Sequence, residues 1–394
     1  MNTELDVLVV GDANPDLVLR GDVVPRFGQV EQMLTAADLV LGGSAAITAS
    51  GCARLGLRTA LLARVGDDVF GRVTRAWLEE RGVTLENPRP ADGEPTGLSV
   101  ILSGPDDRSI LTLPGTIPTL VPSDISDEVL ARTRHLHVAS VFLQPALAEG
   151  LAGVFARARA LGVTTSLDTN WDPSERWTGV RELLAGVDVF LPNTAELLAV
   201  TGAGDVASAA ALLVASGTTV VLKDGARGGR AWTPARSSSQ LPGDAEATPA
   251  GQSAPGGQSA PAGQSAPGGQ SAPAGPSASG GQSAPAGRAA PFELPGRSAL
   301  DEPAGDSALD EAAGRSAADG IAEYSAPSLA VDVVDTTGAG DSFNAGFLAA
   351  RLGGSDLPEA VAWAAAAGSL STRAPGGTAA QATLPEIRAA LTPA

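Results

Sequence analysis

The chain contains one cysteine, two histidines, one tyrosine and, among its 26 basic residues, a single lysine, Lys223. Each shortage removes a class of chemistry. With Cys52 alone, in an Ala/Gly-rich helical stretch, neither an internal disulfide nor a cysteine metal cluster can form. His135 and His137 alternate in the strand-like run His135-Leu136-His137-Val138-Ala139, a pattern of packing rather than of metal ligation, so zinc hydrolysis is not expected. A Walker-type G-x-x-x-x-G-K-[ST] loop is missing. No apolar run approaches membrane-spanning length, and no basic leader precedes the apolar strand Leu5 to Val10, so a cytoplasmic protein without a membrane partner is expected. A formal charge of −18 disfavours a nucleic-acid partner, because each phosphate contact needs a cation. The expected partner is a small molecule.

What is present points to one large α/β core. The chain has 394 residues, 43% of them hydrophobic. Apolar strand-like runs alternate with Ala/Leu/Arg-rich helical runs: Leu5 to Val10, Arg58 to Val65, Leu136 to Ser140, Val163 to Asp168, Val187 to Leu191 and Thr218 to Lys223. This is the rhythm of a mostly parallel sheet flanked by helices. Two stretches, about 15–41 and 94–115, break it with short alternating strands and read as a small β-sheet lid that would exclude water from a site. Gly229 to Thr233 and Ala330 to Val334 read as two further strands. The segment 237–326 is Ala, Gly, Ser, Pro and Gln. It holds Gly-Gln-Ser-Ala-Pro-Gly/Ala hexapeptides from Gly251 onward, then a nine-residue repeat beginning at Ser298 and Ser307. No unit has an apolar face to stack, which predicts a disordered insertion within a single domain; a collagen-like role would need a glycine period of three rather than six.

Asp335-Thr336-Thr337-Gly338-Ala339-Gly340-Asp341 leads into the helical run Ser342 to Leu352. The N–H groups of Gly338, Ala339 and Gly340, at the positive end of that helix, suit an oxyanion, and Asp341 suits either a proton acceptor or a helix cap. Gly42-Gly43-Ser44-Ala45-Ala46 precedes another helix and lets backbone approach a ligand. Asn14 and Asp16, after the first strand, can grip hydroxyls or simply form a turn. Asn193 and Glu196 open a helix, either as a pair that holds hydrated Mg²⁺ or as a capping box. Lys223, Gly225 and Gly228 follow another strand and suit a nucleotide loop or a hairpin.

In order and spacing these segments resemble the ribokinase-like, or PfkB, family of sugar kinases. The early signature is similar to Gly42 through Ala49, the next strand and turn to Val65 through Gly71, and the late signature to Asp335 through Asp341 with Phe343, Ala345, Gly346 and Phe347. The resemblance implies a ribokinase-like fold and transfer of the γ-phosphate of ATP to a sugar hydroxyl, the alternatives being a nucleoside kinase or a catalytically silent sugar-binding regulator. It implies Asp341 as base and Gly338 to Gly340 as anion hole. Asp16, Asn14, Gly42 and Gly43 would contact the substrate, and Asn193, Lys223, Gly225 and Gly228 the ATP, with Ala364 to Gly377 as the adenine wall. Asn193 and Glu196 would hold Mg²⁺ through water, Asp335 and Thr337 a monovalent cation such as K⁺, and two lids would pair in a homodimer. Two positions depart from the pattern. Ile47 stands where the family usually has an asparagine able to bond a sugar hydroxyl, and Asp172 where some members carry a phosphate-binding arginine.

Overall fold

The computed structural model describes residues 4–88, 93–104, 108–235, 316–318 and 320–392. By contacts the chain divides into two units, and residues 1–245 with 311–394 carry every described element; residues 246–310 lie outside the described residues, as does most of the expected insertion.

Among the described residues fourteen strands form two sheets. They are β1 (Leu5–Val10), β2 (Asn14–Gly21), β3 (Leu34–Gly42), β4 (Thr59–Leu62), β5 (Thr84–Glu86), β6 (Leu98–Ser103) and β7 (Arg108–Leu113). Then come β8 (Thr133–Ala139), β9 (Thr164–Asp168), β10 (Val189–Phe190), β11 (Thr219–Lys223), β12 (Gly229–Pro234), β13 (Ser316–Ala318) and β14 (Ile321–Ala326). The large sheet runs β13-β14-β12-β11-β10-β9-β8-β1-β4-β5. From β5 to β11 every pairing is parallel, and β12, β14 and β13 continue it antiparallel. All six residues of β1 are buried, and alternation sends Val7 and Val9 into one core and Leu8 and Val10 into the other. That is why β1 reads as a continuous apolar run: helices cover both faces of the sheet.

The small sheet runs β3-β2-β6-β7 and is built from the segments expected to form a lid. Its strands pack less completely, and Leu34, Leu39, Ile110 and Leu113 are exposed.

One expectation is corrected at the end of the low-complexity segment. Ala330 to Val334 is not a strand; the strand before the late signature is β14, which pairs with β12 along its whole length, from Gly229↔Ala326 to Pro234↔Ile321. Residues 316–318 and 321–326 therefore belong to the sheet and not to a disordered insertion reaching 326. Tyr324, the chain's one tyrosine, is buried there in the core. The signal was the alternation in Ile-Ala-Glu-Tyr-Ser-Ala, obscured because its Ala and Ser content continues that of the preceding repeats. Among the described residues no single helix is long and apolar enough to cross a membrane.

Candidate active site

Parallel strands gather ligand-binding residues beyond their carboxyl ends. Here Asp12 follows β1, Asp168 ends β9, Asn193 follows β10 and Lys223 ends β11. The site forms where two glycine-rich turns, nearly 300 residues apart in the chain, meet above these strand ends.

The first turn enters the helix Ser44–Arg54. Gly43 caps it with φ 87°, and a Cβ there would lie 2.7 Å from the Asp12 carbonyl oxygen, so glycine is required. The Asp12 carboxylate accepts the Ser44 and Ala45 N–H groups at 3.2 and 3.0 Å, which ties the turn to β1. Gly42 is pressed against Asp16: a Cβ at 42 would lie 2.1 Å from the Asp16 Cγ. Asn14 Nδ2 donates to Asp16 Oδ1 at 2.8 Å. Burial, and then the charge of Asp12, push the Asp16 carboxyl up to about 7.

The second turn enters the helix Ala339–Leu352. Gly338, its cap, has φ 72°, and a Cβ there would lie 2.5 Å from the Gly377 Cα. Ile47 sits behind Gly377, where an added Cβ would meet the Ile47 Cδ1 at 2.5 Å. The side chain that replaces the family's asparagine thus buttresses the backbone on which Gly338 rests, a role the sequence reading did not give it. Of the three N–H groups expected in the anion hole, that of Ala339 is bonded to the Thr336 carbonyl at 3.2 Å. Among the described residues the Gly338 and Gly340 N–H groups have no hydrogen-bond partner, so two of the three donors are uncommitted.

Asp341 lies in the first turn of that helix and is buried. Ser44 donates its hydroxyl to Asp341 Oδ1, joining the two turns. Burial, and then the negative charge of Asp168, push the Asp341 carboxyl up to about 7. A helix cap on the surface would be ionised well below that value; this group is held near the point where it can take a proton.

Beside Gly340 opens a cavity of about 380 Å³. Lys223, Gly225 and Gly228 line it on one side, and Ala365, Gly368 and Thr372 on the other, within the Ala/Gly-rich run expected to form an adenine wall. Phe343, Leu329 and Val331 make it largely apolar. Asn193 and Glu196 lie outside this lining and make a capping box. Glu196 Oε2 accepts the Asn193 N–H at 2.8 Å and Oε1 the Asn193 side-chain amide at 2.7 Å. Burial raises the Glu196 carboxyl above its ordinary value. Asp335 accepts the Thr337 N–H and hydroxyl on Oδ1 and the Gly376 N–H on Oδ2. These bonds outweigh burial and hold its carboxyl below the usual range. Arg108, on the lid strand β7, donates to the Thr337 hydroxyl at 2.7 Å and so links lid and turn.

Several contributors were not anticipated: Asp12, Ser44, Arg108, Asn344 and Asp168. Only Asp168 carried a signal, a carboxylate ending an apolar strand. Lys223 Nζ lies 2.5 Å from Asp168 Oδ2, which also accepts from Asn344 Nδ2 at 2.6 Å. Asp172 does not approach this cluster; it caps its own turn, accepting the N–H groups of Ser174, Arg176 and Trp177. The two histidines are buried: both His135 ring nitrogens and His137 Nδ1 are bonded to the hydroxyls of Thr164 and Ser166, while His137 Nε2 has no partner among the described residues.

The model of the pfkB family carbohydrate kinases matches residues 4–242 and 312–384, and so takes in both turns and the cavity beside the second. The chain belongs to this family. It is 32% identical over 194 residues to an ATP-dependent ribose-1-phosphate kinase of Halopiger xanaduensis, covering 49% of this chain and 63% of that one. It is 30% identical over 200 residues to a ribokinase of Arabidopsis thaliana, covering 50% and 51%. The chain thus matches between half and two thirds of the length of these relatives. The structure of Arabidopsis thaliana ribokinase complexed with ribose and ATP superposes with a TM-score of 0.65 over 99% of both chains, at 20% identity, which shows a shared fold.

Proposed function

We propose that this pfkB family member is a cytoplasmic, ATP-dependent sugar kinase that moves the γ-phosphoryl group onto a hydroxyl of a small carbohydrate. The observation that carries the reading is Asp341. It is a buried carboxyl pushed up to about 7, bonded to the early glycine turn on one side, with Ala339 and Gly340 lining the cavity on the other. Asp16, oriented by Asn14, grips sugar hydroxyls, while Gly42 and Gly43 let the backbone come close. Asp341 accepts the proton of the attacking hydroxyl as the new P–O bond forms and the bond to ADP breaks. The Gly338 and Gly340 N–H groups steady the charge on the phosphoryl oxygens. The nucleotide fills the apolar cavity with its phosphates toward Lys223 and Gly340.

Magnesium bound with the nucleotide supplies charge neutralisation at the phosphate oxygens. Asn193 and Glu196 fit it through water: capping uses one lone pair on each Glu196 oxygen and leaves the other, and among the described residues no three acidic, His or Cys groups converge on one point. For a monovalent cation Asp335 fits, being held ionised; a cation on the Thr337 hydroxyl would meet the Arg108 guanidinium. A homodimer paired through the lids would cover the exposed Leu34, Leu39, Ile110 and Leu113.

The test is ADP release with MgATP and a panel of ribose, ribose 1-phosphate, other sugars and adenosine. Turnover with a sugar is the expected result. Turnover with adenosine alone would make the protein a nucleoside kinase, and sugar binding without ADP release would make it a regulator.

A further inference from the structure

The one lysine of the chain does not project freely into the nucleotide cavity. Its ammonium is tied down from below by a carboxylate at the end of a different strand, and the same carboxylate oxygen takes the Asn344 amide from the late helix. Asp168 is fully buried, and Asn344, one turn after Asp341, is fully buried as well. Asn344 is turned so that Nδ2 meets Asp168 while its Oδ1, among the described residues, has no partner. The demand of the carboxylate for donors therefore sets the orientation of the amide, rather than the reverse. Above the pair lies Gly340: a Cβ there would sit 3.4 Å from the Lys223 Cδ and 3.8 Å from its Nζ. The charge is thus stationed under one of the two unpartnered N–H groups, at the edge of the cavity.

We propose that Asp168 is a positioning residue: together with Asn344 it anchors the Lys223 ammonium beneath Gly340, where this charge meets the terminal phosphates of the bound nucleotide. The physical need is clear. A lysine stem is flexible, and ordering it costs about 2 kcal/mol; a buried ammonium also requires an opposite charge, or it neutralises. Burial disfavours the charged form of Lys223, and the carboxylates of Asp168 and then Glu196 outweigh it. Lysine offers three donors, and Asp168 occupies one, so donors remain for phosphate oxygens.

The inference rests on the nucleotide reading of the cavity, and its test separates the two. The full-length protein, Asp168→Asn, Lys223→Met and the double variant are titrated with MgATP and with AMP by calorimetry, alongside steady-state kinetics and melting curves. Each single variant is expected to weaken ATP binding about tenfold and lower kcat about a hundredfold while leaving AMP binding and the acceptor KM within about threefold. In ATP affinity the double variant should be no worse than Lys223→Met, because Asp168 reaches the nucleotide through the lysine; the cycle is read on affinity, since the Asp168 charge also raises the Asp341 carboxyl and so bears on kcat directly. Losses of ATP affinity that multiply in the double variant, or AMP binding that falls along with ATP, would assign Asp168 a structural role and overturn the proposal. If Asp168→Asn fails to fold, Asn344→Ala takes its place in the same cycle: a loss of ATP affinity that disappears in the Lys223→Met background supports the proposal, and one that persists there overturns it. A wild-type protein that binds ATP but phosphorylates nothing would sink the kinase reading while leaving this cycle to be read on affinity alone.

Discussion

Replacing Asp341 with asparagine should abolish turnover and at the same time make the protein more stable at alkaline pH. The carboxyl titrates at about 7 in the folded protein against 3.8 for an unperturbed group. A raised carboxyl means that the folded state holds a proton the unfolded chain releases, so this group removes stability as pH rises from about 4 to about 7, and the full penalty applies above 7. Held against the ordinary value, the penalty is on the order of 4 kcal/mol at most. Asparagine is neutral at every pH and still accepts the Ser44 hydroxyl on Oδ1, so Asp341→Asn should recover roughly 1–3 kcal/mol at pH 8, a rise of roughly 2–6 °C in Tm. The advantage should shrink steadily below pH 7, where the wild-type carboxyl becomes protonated and so a near-isostere of the amide. Melting curves of both proteins from pH 5 to 8, with ADP release in parallel, make the test. A variant no more stable than wild type at pH 8, a gap that does not close in acid, or a kcat near wild type would refute the assignment. In the wild type, kcat/KM for the acceptor should fall about tenfold per pH unit below 7.

Four further outcomes are expected. Asp16→Ala should raise the acceptor KM at least tenfold with the ATP KM unchanged, as initial-rate kinetics will show; a change confined to ATP would mean the two pockets are reversed. Gly42→Ala should reproduce that defect, because its Cβ would lie 2.1 Å from the Asp16 Cγ and must displace the carboxylate; an unaltered acceptor KM would refute the argument. Ile47→Ala should lower stability by about 2–4 kcal/mol in denaturant melts and reduce kcat, since the Gly377 backbone behind Gly338 loses its support. Deleting residues 246–310 and closing the gap with a short Gly/Ser linker should leave Tm and activity nearly unchanged, because every described strand and helix lies outside them and loop length enters stability only logarithmically. Loss of activity in a folded deletion variant would make the segment a functional element.

The sequence alone determined whatever rests on local pattern. β1 and β11 announce themselves because strands buried on both faces are mostly apolar, and Gly43 and Gly338 because only glycine tolerates their left-handed backbone beside a packed neighbour. The same local chemistry made Asn193-x-x-Glu196 legible as a capping box. What tertiary structure decided was everything that depends on which strand ends are neighbours. Ser44 and Asp341 are 297 residues apart in the chain yet hydrogen-bonded, and no periodicity encodes that. Asp168 looked like the end of a strand until β9 was placed two strands from β11, where the parallel order brings its carboxylate to the only lysine. β14 was hidden because alanine and serine form a strand only when a partner such as β12 supplies the hydrogen bonds and a core receives Tyr324. The carboxyls of Asp16 and Asp341 leave their ordinary range through burial and through the charge of a neighbouring carboxylate, Asp12 for the first and Asp168 for the second. Those are properties of an assembled interior, and a sequence read one residue at a time does not contain them.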